Sequence, residues 1–152
     1  MKPWRDGVRA LLFDPDDRIL LVHFDFPPFP WAPPGGGLVR GESDEQGLRR
    51  ELAEEVGLDD YELGPLLWRR EHEFDDPIRF RGQRERCYLV RSNRFEPEPR
   101  LDLAAEHVSE VRWWTAAELR RSDEVFGPRR LPQLVAELLE HGPPPEPYVL
   151  GK

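Results

Sequence analysis

A single cysteine, Cys87, leaves the chain unable to form an internal disulfide, which agrees with a reducing compartment. No apolar run approaches the roughly 18 residues that a membrane-spanning helix needs. The opening residues Met1-Lys2-Pro3-Trp4-Arg5-Asp6 lack the apolar centre of a secretion signal. A cytoplasmic protein without a membrane partner is therefore expected. Lysine is nearly absent: Lys2 and Lys152 are the only two, so all but two of the 22 basic residues are arginine. Positive charge is in deficit overall, because 30 acidic residues bring the net charge to −8. That balance argues against a long nucleic-acid track gripped through phosphates, and no extended nucleic-acid interface is expected. Small phosphorylated ligands stay open, since guanidinium forks suit bidentate phosphate contact. Unless arginines gather beside a metal-binding face, their abundance reads as compositional bias.

What is present suffices for one folded domain. The chain has 152 residues, 38% of them hydrophobic, with five Trp and eight Phe, and a length of this order buries about two-thirds of the unfolded surface. Val8 to Phe13 reads as a buried strand, Asp14-Pro15-Asp16-Asp17 as a turn and Ile19 to Val22 as the returning partner of a hairpin. The proline-rich run from Phe24 to Gly37 cannot be regular helix and is read as an ordered aromatic loop or edge segment. Its Trp31 is a candidate wall for a base or acyl group, set against the alternative of a hydrophobic plug on the sheet. Leu66 to Phe74 and Arg84 to Arg91 read as strands joined by a turn around Asp75-Asp76-Pro77, and Val111 to Trp114 as the last strand. Cys87 lies in the second of these with no histidine nearby to activate it, so packing is its expected role. Thr115 should cap a helix from Ala116 to Arg121, and Leu131 to Glu140 should form a closing helix. The domain is expected to span 1–142, with 143–152 as an extended proline-rich tail.

The most informative segment is Gly36 to Leu58. Ser43 and Gln46 form a capping box that starts a helix, Gly57 ends it, and Leu48, Leu52 and Val56 make a stripe that should pack on the sheet. Glu51, Glu54 and Glu55 crowd its last turns, away from that stripe. There the helix dipole already places about half a negative charge, and like charges at this spacing repel by about 0.2–0.5 kcal/mol per pair. Hard carboxylate oxygens so gathered suit Mg²⁺ or Mn²⁺. Gly47 sits one turn before Glu51, where a missing side chain leaves room for a metal or a loop.

Gly36, then Glu42 after five residues, then Arg50-Glu51-Leu52-Ala53-Glu54-Glu55-Val56-Gly57-Leu58 after seven more, fills every fixed position of the Nudix box, and the chain resembles a Nudix hydrolase. The resemblance implies an α/β fold, a mixed β-sheet sandwiched between α-helices. It implies that Glu51, Glu54 and Glu55, with Gly36, hold Mg²⁺, for which Mn²⁺ could substitute, and that Arg50 organises the glutamates. Water would attack a diphosphate linkage, with Glu54, Glu51 or an external acid as base. Glu106, shortly before the last strand, is the leading external candidate and Glu85 the second; His72 and His107 have no partner that sequence identifies. Gly35 and Gly37 could offer backbone groups to phosphate, and Glu42 could reach the ions or simply complement the helix N-terminus.

The expected activity is Mg²⁺-dependent pyrophosphohydrolysis of a nucleoside diphosphate linked to another moiety. The alternatives are a nucleotide-binding regulatory module without hydrolysis and a hydrolase of non-nucleotide diphosphates. Markers that some branches of the family carry after the box do not occur around Glu73 and Phe74, so no particular substrate follows. Exposed aromatics in the proline-rich loop admit a homodimer.

Overall fold

The strand β1 (Trp4–Phe13) lies at the centre of the computed structural model, which describes residues 2–73 and 78–151. Alternate residues of a strand face opposite sides, and here both sides are covered. Val8, Ala10 and Leu12 pack under the box helix, whereas Leu11 and Phe13 join a second core beneath the C-terminal helices. This explains a nearly continuous apolar run where a half-exposed strand would alternate.

The remaining elements are β2 (Ile19–Phe24), β3 (Trp31–Ala32), β4 (Gly35–Gly37), α1 (Asp44–Val56), β5 (Glu62–Glu73) and β6 (Gly82–Arg91). They are followed by β7 (Val108–Trp114), α2 (Ala116–Arg121), α3 (Leu131–His141) and β8 (Tyr148–Leu150). The strands form one mixed sheet in the order β3-β2-β1-β6-β5-β8, with β4 on β1 and β7 on β2. Helix α1 covers one face and α2 with α3 the other, the sandwich expected of the α/β class.

Both ends of α1 form as the sequence indicates. Ser43 accepts from the Gln46 amide while the Gln46 side chain accepts from the Ser43 amide, and Gly57 closes the helix at φ 76°. Thr115 and Glu118 make the equivalent box on α2. Leu48, Leu52 and Val56 are fully buried.

Other expectations need adjusting. The hairpin forms, but β1 and β2 share only the register pair Phe13↔Ile19. The rest of β1 runs parallel to β6, from Trp4↔Gly82 to Phe13↔Arg91, while β2 pairs with β7. Beside the N-terminal half of β1 lies β4, paired from Gly7↔Gly37 to Arg9↔Gly35. A Cβ on Gly35 would penetrate the Val8 carbonyl, and its φ of 147° suits glycine. The proline-rich run thus contains two short strands. The tail carries a strand too: β8 lies parallel to β5, from Trp68↔Tyr148 to Arg70↔Leu150. Phe74 and the turn at Asp75-Asp76-Pro77 lie outside the described residues. Among those described, no helix is long and apolar enough to cross a membrane.

Candidate active site

The last turn of α1 contains no basic residue to balance its glutamates, so the compensation comes from earlier in the helix and from the sheet. Arg50 supplies most of it. Its Nε and Nη2 donate to the two carboxylate oxygens of Glu42 at 2.8 and 2.9 Å, and Nη1 donates to Glu51 at 3.0 Å and Glu54 at 3.4 Å. Nη2 also reaches the Gly37 carbonyl at 3.0 Å, tying the helix to β4. The Glu42 bond raises the Arg50 pKa and lowers that of Glu42. Glu42 also accepts from the Val39 amide at 3.0 Å, so in this structure it serves Arg50 and its own loop. The space above Gly47 is filled by Leu38, with which an added Cβ would collide.

Glu55 departs from the expected outward face. Only 5% exposed, it lies under β4 and accepts from the Gly35 amide at 3.1 Å. Burial pushes its pKa up to about 7, against the opposing pull of Arg9 and the Gly35 amide. Burial also raises Glu51 despite Arg50 and Arg9. Gly36 leaves the gap between strand and helix, since a Cβ there would stand 2.7 Å from Glu51 Oε1.

The box carboxylates are side by side but not converged. Among the described residues no three carboxylate, imidazole or thiol groups sit closely enough to hold an ion as they stand. Arg50 holds Glu51 and Glu54, and the Gly35 amide holds Glu55. The donor chemistry nonetheless fits a hard divalent cation: oxygen ligands, two of them with pKa raised by burial despite the arginines nearby.

Glu51, Glu55 and Gly35 to Gly37 line a cavity of about 670 Å³. Glu106 lines it too, near enough for its charge to raise Glu55 further. Glu54, Glu42 and Trp31 are not among the lining residues. Trp31 is the clearest correction: its ring is 3% exposed, stacks on His23 at 4.6 Å and meets the edge of Trp114 at 5.0 Å. Pairing of His23 with Trp31 turns that ring into the core, and Phe24, Phe26 and Phe126 form the apolar wall instead.

Glu85 lines the cavity but is fully engaged. It accepts from Arg9, Arg70 and Gln83 at 3.2, 3.3 and 3.0 Å. Burial would raise its pKa, yet Arg9, His72 and Arg70 hold it well below the usual carboxylate range, which removes it as a base. Cys87 is buried and its thiol is pushed well above its ordinary pKa, as packing requires. The cavity-lining arginines Arg5, Arg9, Arg70 and Arg129 were not singled out from sequence as site residues. The alternation Arg5, Gly7, Arg9 along β1 was the available signal, and it reverses the compositional reading of the arginines.

A cavity at the edge of a Gly-rich strand, flanked by a capped glutamate helix, is the arrangement expected of the Nudix class. A family model for the NUDIX domain matches residues 3–135. A curated relative, the RNA pyrophosphohydrolase of Caulobacter vibrioides, is 35% identical over 138 residues, covering 82% of this chain and 77% of its own. Among solved structures, a NUDIX hydrolase from Nitrosomonas europaea superposes with a TM-score of 0.72 at 18% identity, covering 100% of this chain and 81% of that one. The NUDIX domain of Shewanella oneidensis NrtR, complexed with ADP ribose, gives 0.65 at 25% identity over 91% of this chain and 90% of its own. The chain belongs to the Nudix family and is a Nudix hydrolase.

Proposed function

We propose that the enzyme uses Mg²⁺, with Mn²⁺ as a substitute, to hydrolyse the diphosphate of a nucleoside diphosphate joined to another moiety. The carrying observation is the pair of desolvated carboxylates, Glu51 and Glu55, facing one nucleotide-sized cavity across Gly36. Relatives named as RNA pyrophosphohydrolases support cleavage at pyrophosphate, and the ADP ribose held by the NrtR domain supports a nucleotide ligand.

Glu51, Glu54 and Glu55, with Gly36, would hold the ion. A bound dication would neutralise phosphate charge and acidify the attacking water. Arg50 keeps Glu51 and Glu54 oriented, and the Gly35 amide does the same for Glu55. Glu106, exposed and lining the same cavity, accepts the proton of the attacking water. Phe24 and Phe26 offer the apolar faces a base requires.

The test is a product-resolved screen of nucleoside triphosphates, nucleotide sugars, ADP-ribose, dinucleotides and 5′-phosphorylated RNA with each cation. The Glu54→Gln, Glu55→Gln double variant should lose about 100-fold or more in turnover while keeping its circular dichroism spectrum. Full turnover by that variant overturns the assignment.

A further inference from the structure

The box carboxylates occupy only the β4 side of the cavity. Across the sheet, β4 pairs with β1, β1 with β6 and β6 with β5, three strand spacings or about 14 Å. An arginine–glutamate–arginine arrangement crosses the floor toward that far side, from Arg9 next to Gly35 to Arg70 on β5. Glu85 on β6 accepts from Arg9 of β1 through Oε1 and from Arg70 of β5 through Oε2. Each arginine side chain is 13% exposed and the carboxylate 4%.

The other donors are fixed by the fold. Arg9 Nη1 donates to the Pro33 and Gly35 carbonyls, and Arg70 Nε to the Gly151 carbonyl. No described residue accepts from Nη2 of either guanidinium, and both side chains line the cavity. Glu51 and Glu55 also act on Arg9, but each guanidinium keeps a free charged donor edge on the cavity, which a phosphoryl oxygen satisfies far better than a neutral group. The approach to Arg70 is open: a Cβ on Gly127 would lie 3.8 Å from Arg70 Nη2 and 3.9 Å from the Ala32 Cβ, with nothing nearer.

We propose that Arg9 and Arg70 form a binding station for a phosphoryl group remote from the scissile diphosphate, so that the preferred substrate is a nucleotide bearing a second phosphate on its sugar. This rests on the nucleotide reading above. The second phosphate can belong to a free nucleotide bisphosphate or to the first internucleotide linkage at an RNA 5′ end. The span from β4 to β5 suits a nucleotide and exceeds what a diphosphate alone would fill, and Phe24, over which Arg9 lies at 5.6 Å, borders the path between the two ends.

The experiment is equilibrium calorimetry with chelator present, at fixed ionic strength, using adenosine 5′-monophosphate, adenosine 3′,5′-bisphosphate and the 5′-phosphorylated dinucleotide of adenosine. At least one of the last two should bind about ten-fold or more tightly than the monophosphate, a difference of about 1.4 kcal/mol. Tight bisphosphate binding alone identifies a phosphomonoester, and preference for the dinucleotide identifies an RNA end. Arg70→Met and Gly127→Val should each reduce the preference to under about two-fold, whereas the Glu54→Gln, Glu55→Gln variant should keep it. Melting curves verify folding, and Gly127→Val, whose Cβ meets only ordinary contacts, carries the test if Arg70→Met is unstable. Equal wild-type affinity for mono- and bisphosphate, no binding of any probe, or a preference surviving both variants would overturn the proposal. Neither metal nor turnover is involved, so loss of this preference leaves the hydrolysis reading intact, and absence of hydrolysis leaves the station intact.

Discussion

At Glu55, burial opposes ionisation while Arg9 and the Gly35 amide favour it. A charge kept in such a place destabilises the protein without a cation and is useful with one. Glu55→Gln should therefore raise stability at pH 8 in chelator by about 1–3 kcal/mol, read as a higher melting temperature, and should shrink the stabilisation that added Mg²⁺ or Mn²⁺ gives. Asp44, at the start of the same helix, shows the opposite case. It accepts from Arg86 at 2.7 and 2.8 Å and from the Tyr88 hydroxyl; burial would raise its pKa, but these partners hold it lowered. A carboxylate depressed in the folded state stabilises above its unfolded pKa, about 4, and loses that contribution as pH falls through the folded value. Asp44→Asn should thus cost about 1–3 kcal/mol at pH 7 in urea unfolding, and the gap from wild type should narrow below about pH 4. Such pairs were not legible: Asp44 and Arg86 are 42 positions apart, and only the packing of α1 on the sheet joins them.

At the scale of elements, α1 was the most readable part of the chain, because its signals are local. A capping box spans three residues, an apolar stripe repeats every four, and Gly57 marks the end. The short strands β3, β4 and β8 were not readable, since two or three residues carry no periodicity and form only where an edge awaits them. Gly36 on β4 provides a direct test of how strand and helix cooperate. An added methyl would meet the flexible end of Glu51, at 2.7 Å from Oε1. Gly36→Ala should cut kcat/KM by about ten-fold or more through displaced Glu51, while shifting stability by less than about 1 kcal/mol. Equal activity with a normal melt would show that Glu51 need not lie against β4.

For the molecule as a whole, the C-terminal segment ties the outer sheet to the cavity. β8 covers the edge of β5 from Trp68 to Arg70, Leu150 packs against the core, and the Gly151 carbonyl holds Arg70 Nε. Removing residues 143–152 would uncover the β5 edge and the core surface that Leu150 covers. The truncated protein should melt lower by about 2–8 °C and self-associate more in light scattering; an unchanged melt and a monodisperse profile would contradict this role for β8. The cavity likewise exists only at this scale. Its lining comes from the strands β1 to β6, the helix α1, the loop between β2 and β3 and the loops before β7 and α3, parts that no sequence window contains together.

The sequence by itself determined the box, the ends and buried stripe of α1 and the second capped helix, because each is written in spacings of a few residues, and the α/β sandwich followed from the family resemblance that the box carries. Only the tertiary structure decided which carboxylates are desolvated, that Trp31 turns inward, and that Glu85 is locked between Arg9 and Arg70. Burial and charge balance are set by neighbours far apart in the chain, and strand register brings those neighbours together.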